Sequence, residues 1–390
     1  MARRFQLFKR SATSDLKNPK QWIIDVLGGD TSSGQTVTEE TSLKFTGVWS
    51  AVDLRSTLLA SMPVGQFDIT QQGRTVVNDE LYKLLAYQPN PWMNAFDFWS
   101  LMNNYLDLWG NSYAVITRNN RGRVVALSPI HPQYVTPDTK TGELIYKITD
   151  HENRGLEPVY RPAQMLHFKG MCTDGVVGKS PIRNAAEAIG VGMAAEKFGA
   201  AFFNGNGISR GVLEMDSSLD DKSKEAFAKA WANNKDHGTP LLEHGIKYKS
   251  LSIPPEDAQF LGTRQFSMQD IARIYHIPPS LLGDLSRSTF SNIEHSDIQF
   301  VKYGLRPMVK RYEKELELKL LPAKLGERVI RFNLDGILRG DTAARGAFYS
   351  QMRTNKIMTA NEIRRLENLN PIEGGDILEN PATSNNNGSD

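Results

Sequence analysis

The run from Glu256 to Leu321 constrains this chain more than any other, because it reads as helix, loop, helix and ends in the longest periodic segment. From Glu294 to Leu321, Ile298, Val301, Leu305, Met308, Tyr312, Leu316 and Leu320 recur at spacings of three and four. That spacing places them on one helical face, which has to be buried. The opposite face carries Lys310, Arg311, Lys314 and Glu317, with Arg311–Glu315 and Glu315–Lys319 at i,i+4 distance. Pro307 lies inside the pattern; lacking an N–H, it removes a backbone hydrogen bond and predicts a kink. Upstream, EDAQFLGTRQFSMQDIARIYHIP forms a first helix, stopped by Pro278-Pro279. Its apolar residues Phe260, Phe266, Ile271 and Ile274 drift around the helix rather than forming a stripe. Between the two helices, SLLGDLSRSTFSN has loop composition.

The chain before this run is mixed. Residues 1–40 are polar, with GGDTSSGQT as a flexible connector. MARRFQLFKRSATSD is basic but has no apolar h-region, so a flexible basic arm is expected rather than a secretory signal. Phe45, Val48, Trp49, Val52, Leu59 and Met62 mark one face of a helix ended by Pro63. VGQFDIT and TVV flank Gln71-Gln72-Gly73-Arg74 as a hairpin. ELYKLLAY and AFDFWSLMNNYLDLW are helices separated by QPNPW, the second ending at Gly110. SYAVITR and VVALSPI are strands joined by NNRG, and ELIYKIT and MLHFKG are further strands. This first part is α+β.

Ser180 can cap a long helix, PIRNAAEAIGVGMAAEKFGAAFF, and Pro181 suits its first turn. Each glycine in it costs about 1 kcal/mol relative to alanine. Such a small-residue surface suits tight packing between subunits or a buried helix within one chain. RGVLEM and KYKSLSI are strands around a helix DDKSKEAFAKAWANNK, in which Ser218 and Asp221 begin a capping box. After Leu321, ERVIRFNLDGIL is a strand and GDTAARGAFYSQMRTNKIMTANEIRRLENL is helical. There Thr359 and Glu362 form a capping box and Met358 and Ile363 occupy staple positions. The tail NPATSNNNGSD is expected to be disordered.

Chemistry is sparse. A net charge of +2 does not announce a nucleic-acid binder, so any DNA-contacting surface must come from local charge. The single cysteine, Cys172, excludes an internal disulfide, and no apolar run approaches the roughly 20 residues of a membrane span. Thr173-Asp-Gly-Val-Val-Gly178-Lys179-Ser180 approximates a phosphate-binding loop, but Thr173 replaces its first glycine and Pro181 follows at once. Gly205-x-Gly207-x-x-x-Gly211 lacks dinucleotide spacing. His131, His151, His167, His237, His244, His276 and His295 show no metal-ligand spacing. Cys172 near His167 is read as a buried structural thiol rather than a nucleophile pair. No catalytic residue, cofactor or metal is expected.

FLGTRQFSMQDIARIYHIPPSLLG, FSNIEH and LRPMVKRYEKELELKLL resemble the signature region of tailed-bacteriophage portal proteins, in the smaller siphophage-type branch. LLAYQPNPW, LWGNSYAVITRNNRGRVVALSPIHP, MLHFKG followed by GKSPI, and PIEGGD extend the resemblance from about Thr46 to Asp376. It implies a portal-type α+β fold. A flexible basic arm (1–40) precedes the first part of the wing (41–179). A stem helix (180–204), an α/β clip (205–254), a second stem helix (255–279) and a tunnel loop (280–293) follow. A long kinked helix then returns to the wing (294–340), before a helical crown (341–376) and a disordered tail (377–390).

The resemblance further implies a closed, usually twelve-membered ring at one capsid vertex, built from head-to-tail interfaces and not itself an enzyme. Implied partners are double-stranded DNA, held without sequence specificity, the terminase large subunit, the major capsid protein, and head-completion or adaptor proteins. No membrane is among them. The implied location is the virion, and the host cytoplasm during assembly. The loop Asp284–Asn292 offers Arg287, Ser288, Thr289, Ser291 and Asn292, types that contact phosphates without reading bases. Composition alone makes this a solvated loop; the resemblance puts it at the channel's narrow point. Phe290 and His295 stand where relatives are expected to carry Tyr and Gln, which bears on the loop's detailed chemistry. Two other classes stay open: a nucleotide-driven DNA enzyme using the GKS loop, and a ring or shell protein with no DNA role.

Overall fold

In the computed structural model the described residues are 31–71, 73–140, 142–203, 211–214, 222, 224–225, 247–250, 267–284, 296–334, 342–367 and 369–378. The expectations for the arm before 31, most of the 205–254 insert, residues 255–266 and the tail beyond 378 lie outside them.

The first segment runs α1 (Glu39–Ser42), α2 (Thr46–Ser61), β1 (Val64–Thr70), β2 (Gly73–Val76), α3 (Glu80–Ala86) and α4 (Ala95–Trp109). Asp79 and Asn94 cap α3 and α4, accepting from the Tyr82 and Asp97 N–H groups. Gly110 closes α4 at φ 71°, in the left-handed region that needs no Cβ. Next come β3 (Asn111–Arg118), β4 (Val124–Ile130), β5 (Val135–Asp138), β6 (Ile145–Ile148), α5 (His151–Arg154), β7 (Val159–Tyr160) and β8 (Met165–Lys169). They form two antiparallel sheets, ordered β4-β3-β8 and β5-β6-β7. At the NNRG turn the Asn119 side chain accepts from the Arg121 and Arg123 N–H groups and fixes the hairpin.

The long small-residue helix is broken once, into α6 (Pro181–Asn184) and α7 (Ala186–Phe203). Ser180 accepts the Arg183 N–H as its cap. Gly190 and Gly192 face this chain's own segment: a methyl at Gly192 would lie 2.6 Å from the Phe45 ring, and one at Gly190 would lie 2.5 Å from Thr31. At those two positions the close approach is therefore within one chain. β9 (Gly211–Glu214) and β10 (Lys247–Ser250) pair antiparallel. Then follow α8 (Arg306–Leu320), β11 (Arg328–Phe332), α9 (Thr342–Thr354) and α10 (Ala360–Leu366). β11 pairs with β1, so the third sheet, β11-β1-β2, joins the end of the chain to its beginning.

β3 explains how the layers meet. Its side chains alternate faces, and both faces are covered. Ala114 and Ile116 point into a core with α2, α4 and α8, while Tyr113 and Val115 join Tyr146, Ile148 and Met165 against the second sheet. The larger core centres on aromatic rings. Trp99 meets Phe332 edge-on at 5.2 Å, and Phe168 lies 4.3 Å from Tyr312. Burying each such side chain stabilises by about 1.5–3 kcal/mol. Among the described residues no helix is long and apolar enough to cross a membrane.

Three details depart from the sequence reading. Trp49 is exposed, and the buried polar Arg55 lies on α2 instead. Glu317 is buried, not solvent-facing, paired with Lys314 and Arg331. The pairing along α8 is at i,i+3, Lys310–Glu313 and Lys314–Glu317, while Glu315 accepts the His167 backbone N–H at 3.1 Å. The reason is shared: α8 is packed on two sides, by the core and by β8 and β11, so its carboxylates serve neighbouring strands.

The Thr359–Glu362 capping box is formed, with both hydrogen bonds present at 3.1 and 2.8 Å. Thr359→Ala is expected to destabilise α10 by about 1 kcal/mol. Faster amide exchange over residues 360–366 checks it, and unchanged exchange would show that the cap carries no weight.

Candidate nucleic-acid interface

Arg287, Ser288, Thr289, Ser291 and Asn292 all lie in 285–295, outside the described residues. What the structure describes is the pair of supports that carry this loop.

The first support is helical from 267 to 275. Ile271 and Tyr275 bury it in the main core beside α2. His276 then turns left-handed at φ 55°, and the Ile277 N–H donates back to the Ala272 carbonyl at 2.8 Å. That is a Schellman-type helix end built without glycine. The Tyr275 carbonyl, one of the helix's orphan acceptors, takes a hydrogen bond from the Arg55 guanidinium at 2.6 Å. Arg55 also donates to Asp107 at 2.8 Å, and Asn103 donates to the same carboxylate oxygen at 2.8 Å. The Tyr275 hydroxyl closes the network by donating to the Asp107 backbone carbonyl at 3.1 Å. Burial raises the Asp107 carboxyl above its ordinary range, against the pull of Arg55. After Pro278 a short turn, Pro279–Leu282, leads to Asp284, whose N–H donates to the Pro279 carbonyl at 3.0 Å.

The second support is helical from 296 and runs into α8 through a π-helical segment, Phe300–Leu305. Pro307 accounts for it. The proline ring would strike the carbonyl of Tyr303 in an α-turn, and the missing N–H removes that bond. Widening the preceding turn relieves both. The extra residue also shifts the phase of everything upstream. Ile298, expected on the buried stripe, is 50 % exposed, and Phe300 is buried in its place. Gly304 lets the segment lie against the first support: a methyl there would come within 2.9 Å of the His276 carbonyl.

Between the supports is an open cleft of about 560 Å³, lined by Arg273, His276, Pro279, Gln299, Phe300 and Tyr303. Arg273 is paired with Asp270 at 2.6 Å. Lys302 and Arg306 are exposed beside the cleft, and the Lys302 ammonium lies 5.1 Å from the Tyr303 ring. The sequence reading passed over these two cations. Their four-residue spacing to Lys310 and Lys314 was the available signal.

The GKS loop does not present a phosphate cradle. Four of its N–H groups already have protein acceptors. Those of Val176 and Val177 donate to Asp174, that of Gly178 to Asn111, and that of Lys179 to the Met171 carbonyl. The Val177 and Val176 N–H groups and then the Cys172 thiol hold the exposed Asp174 carboxyl well below its usual range. Cys172 is half-buried rather than buried, and it is not paired with His167. His167 sits inside the smaller core instead. Its Nδ1 accepts from the Tyr146 hydroxyl at 3.2 Å, its Nε2 donates to Asn111 at 3.1 Å, and its ring stacks on Tyr113. Burial, with Lys169 and Lys319 nearby, pushes its pKa down to about 3. Among the described residues no group of three or more His, Cys, Asp or Glu is placed to hold a metal.

A family model described as Phage portal protein matches residues 46–368. The portal protein of Enterobacteria phage HK97 is 31% identical over 361 residues, covering 90% of this chain and 83% of that protein. The probable portal protein of Streptomyces phage phiC31 is 31% identical over 367 residues, covering 90% and 80%. In fold the chain is similar to an HK97-family phage portal protein from Corynebacterium diphtheriae, with TM-score 0.58 at 14% identity over 78% of this chain and 98% of that one. It is also similar to a chain in the neck of a native gene transfer agent particle with C12 symmetry, with TM-score 0.58 at 18% identity over 90% of this chain and 100% of that one.

Proposed function

The chain belongs to the phage portal protein family, and from that premise we propose that it forms the ring at one capsid vertex through which double-stranded DNA is packaged and ejected. The observation that carries the reading is the match to two phage portal proteins over at least four-fifths of their own length. Twelve copies is the number supported by the C12 neck of the gene transfer agent. The ring docks the terminase large subunit during filling and head-completion proteins afterwards, and it seats among major capsid protein. It works as a passage and not as an enzyme, a reading supported by the GKS loop, whose Val176, Val177 and Gly178 N–H groups are already bonded within the protein.

DNA has to slide, so its contacts are phosphate contacts, loose and salt-sensitive, rather than base readout. We place them at Arg287, Ser288, Thr289, Ser291 and Asn292, with Lys302 and Arg306 on the adjoining support. A ring turns one Arg287 per chain into a circle of positive charge, which lets a near-neutral protein hold DNA locally. Arg287→Ala, or deletion of Ser286–Ser291, is expected to leave rings intact by electron microscopy while lowering DNA packaging or retention in vitro at least several-fold. Wild-type packaging and retention by intact mutant rings would reduce the loop to a solvated connection.

A further inference from the structure

α8 divides its charge by face. Its carboxylates turn inward: Glu313 and Glu317 are buried, and Glu315 is half-buried. Each serves a strand. Glu313 accepts the Phe332 N–H at 3.1 Å, Glu317 accepts the Ile330 N–H at 3.4 Å, and Glu315 holds the His167 N–H of β8. The cations turn outward. Between Tyr303 and Leu318 the exposed positions are Arg306, Pro307, Lys310, Arg311 and Lys314, with no carboxylate among them. Glu313 and Glu317 steady Lys310 and Lys314 from beneath, at 2.5 and 2.9 Å, yet the two lysine side chains remain 45 and 69 % exposed. Among the described residues no carboxylate pairs with Arg306 or Arg311.

Lys302, Arg306, Lys310 and Lys314 recur every four residues, a spacing that keeps them on one face and about 6 Å apart along the axis. With Arg311 they form a ridge about 18 Å long. A duplex of that length carries about ten phosphates, at one charge per roughly 1.7 Å. The ridge begins at the second support, so it continues the candidate DNA interface onto a rigid helix. A folded acidic protein would need an apolar anchor near the centre of its contact. On this face the large apolar side chains, Tyr303 and Leu318, stand at the two ends. A phosphate backbone needs only evenly placed charge. We propose that the outer face of α8 is a second, fixed contact for duplex DNA, in which Lys310, Arg311 and Lys314 neutralise backbone phosphates. It rests on the DNA reading above and extends it beyond the loop and its supports. The two lysines, partly neutralised from below by buried carboxylates, hold phosphate more weakly than Arg311, which suits a duplex that slides.

The test measures binding of the full chain to a mixed-sequence duplex of about 30 base pairs, by fluorescence anisotropy between about 50 and 200 mM salt. Arg311→Gln, which breaks no ion pair among the described residues, is expected to reduce the slope of log affinity against log salt by about 0.9. Lys310→Gln, Arg311→Gln and Lys314→Gln together are expected to reduce it by about 2 and to weaken binding by about tenfold or more. Lys310→Arg with Lys314→Arg keeps the charge and is expected to bind as wild type, which separates charge from fold. Wild-type slopes and affinities in both Gln variants would overturn the inference, and a loss with Arg287→Ala in the same assay would leave the DNA reading standing on the loop. Wild-type protein that binds no duplex would remove that reading, and this one with it. Gln variants that keep duplex binding but lose binding to poly-glutamate would assign the face to an acidic protein and overturn DNA as its occupant.

Discussion

Arg55→Ala is expected to lower folding stability by about 3–5 kcal/mol, the usual consequence of removing one partner from a buried ion pair. Both members are buried, so the Asp107 carboxylate is shielded from solvent. Losing the guanidinium leaves the carboxylate with Asn103 alone and uncaps the Tyr275 carbonyl at the end of the first support. Burial already biases Asp107 toward its neutral form, so without Arg55 it is expected to protonate rather than stay charged. Denaturant unfolding measures the loss. Replacing both partners, Arg55→Met with Asp107→Leu, is expected to recover part of it, because no lone charge then remains. A loss below about 1 kcal/mol for Arg55→Ala would mean the pair is solvated and does not anchor the support.

Acid is expected to destabilise the protein through His167. Its folded pKa is about 3 against an ordinary 6.5. Above pH 6.5 both folded and unfolded chains hold it neutral, and its contribution to stability is complete. As pH falls from 6.5 towards 3, the unfolded chain binds a proton there that the folded chain refuses. Stability then drops by up to about 1.4 kcal/mol per pH unit. Glu315, which accepts the His167 N–H, acts the other way: burial raises its carboxyl, so it offsets part of the loss just above pH 4.5. His167→Gln is expected to remove about one proton of this dependence between pH 6.5 and 5, read from unfolding midpoints at several pH values. An unchanged slope in the variant would assign the acid lability elsewhere.

Local chemistry was the most legible part of the sequence. The caps at Ser180 and Thr359, the left-handed Gly110 and the NNRG turn follow from residue type at one position, and the structure places each of them there. The buried stripe of α8 was equally readable from Val301 to Leu320. Reading failed at Ile298 because periodicity was carried upstream through Pro307 at a constant 3.6 residues per turn, and the π-segment breaks that phase. β5 and β7 were missed because they are four and two residues long, and pairing with β6 holds them rather than their own pattern. The Arg55 network was missed for a related reason: its members come from three distant segments, and no spacing joins them. The phosphate contacts proposed for the loop 284–292 rest on family resemblance alone, since its composition is that of any polar loop.

The pairing of β1 with β11 has a consequence in time. Arg328 of β11 reaches back 260 residues to bind Asp68 of β1. A ribosome adding about 5–20 residues per second leaves that partner unmade for roughly 13–50 s after Asp68 emerges. Throughout that interval the β1 edge that receives β11 is bare, and bare strand edges pair with whatever strand they meet. The nascent chain is thus most vulnerable to mispairing before residue 332 has been synthesised, and truncations that end upstream of Arg328 are expected to accumulate as aggregates rather than as soluble fragments.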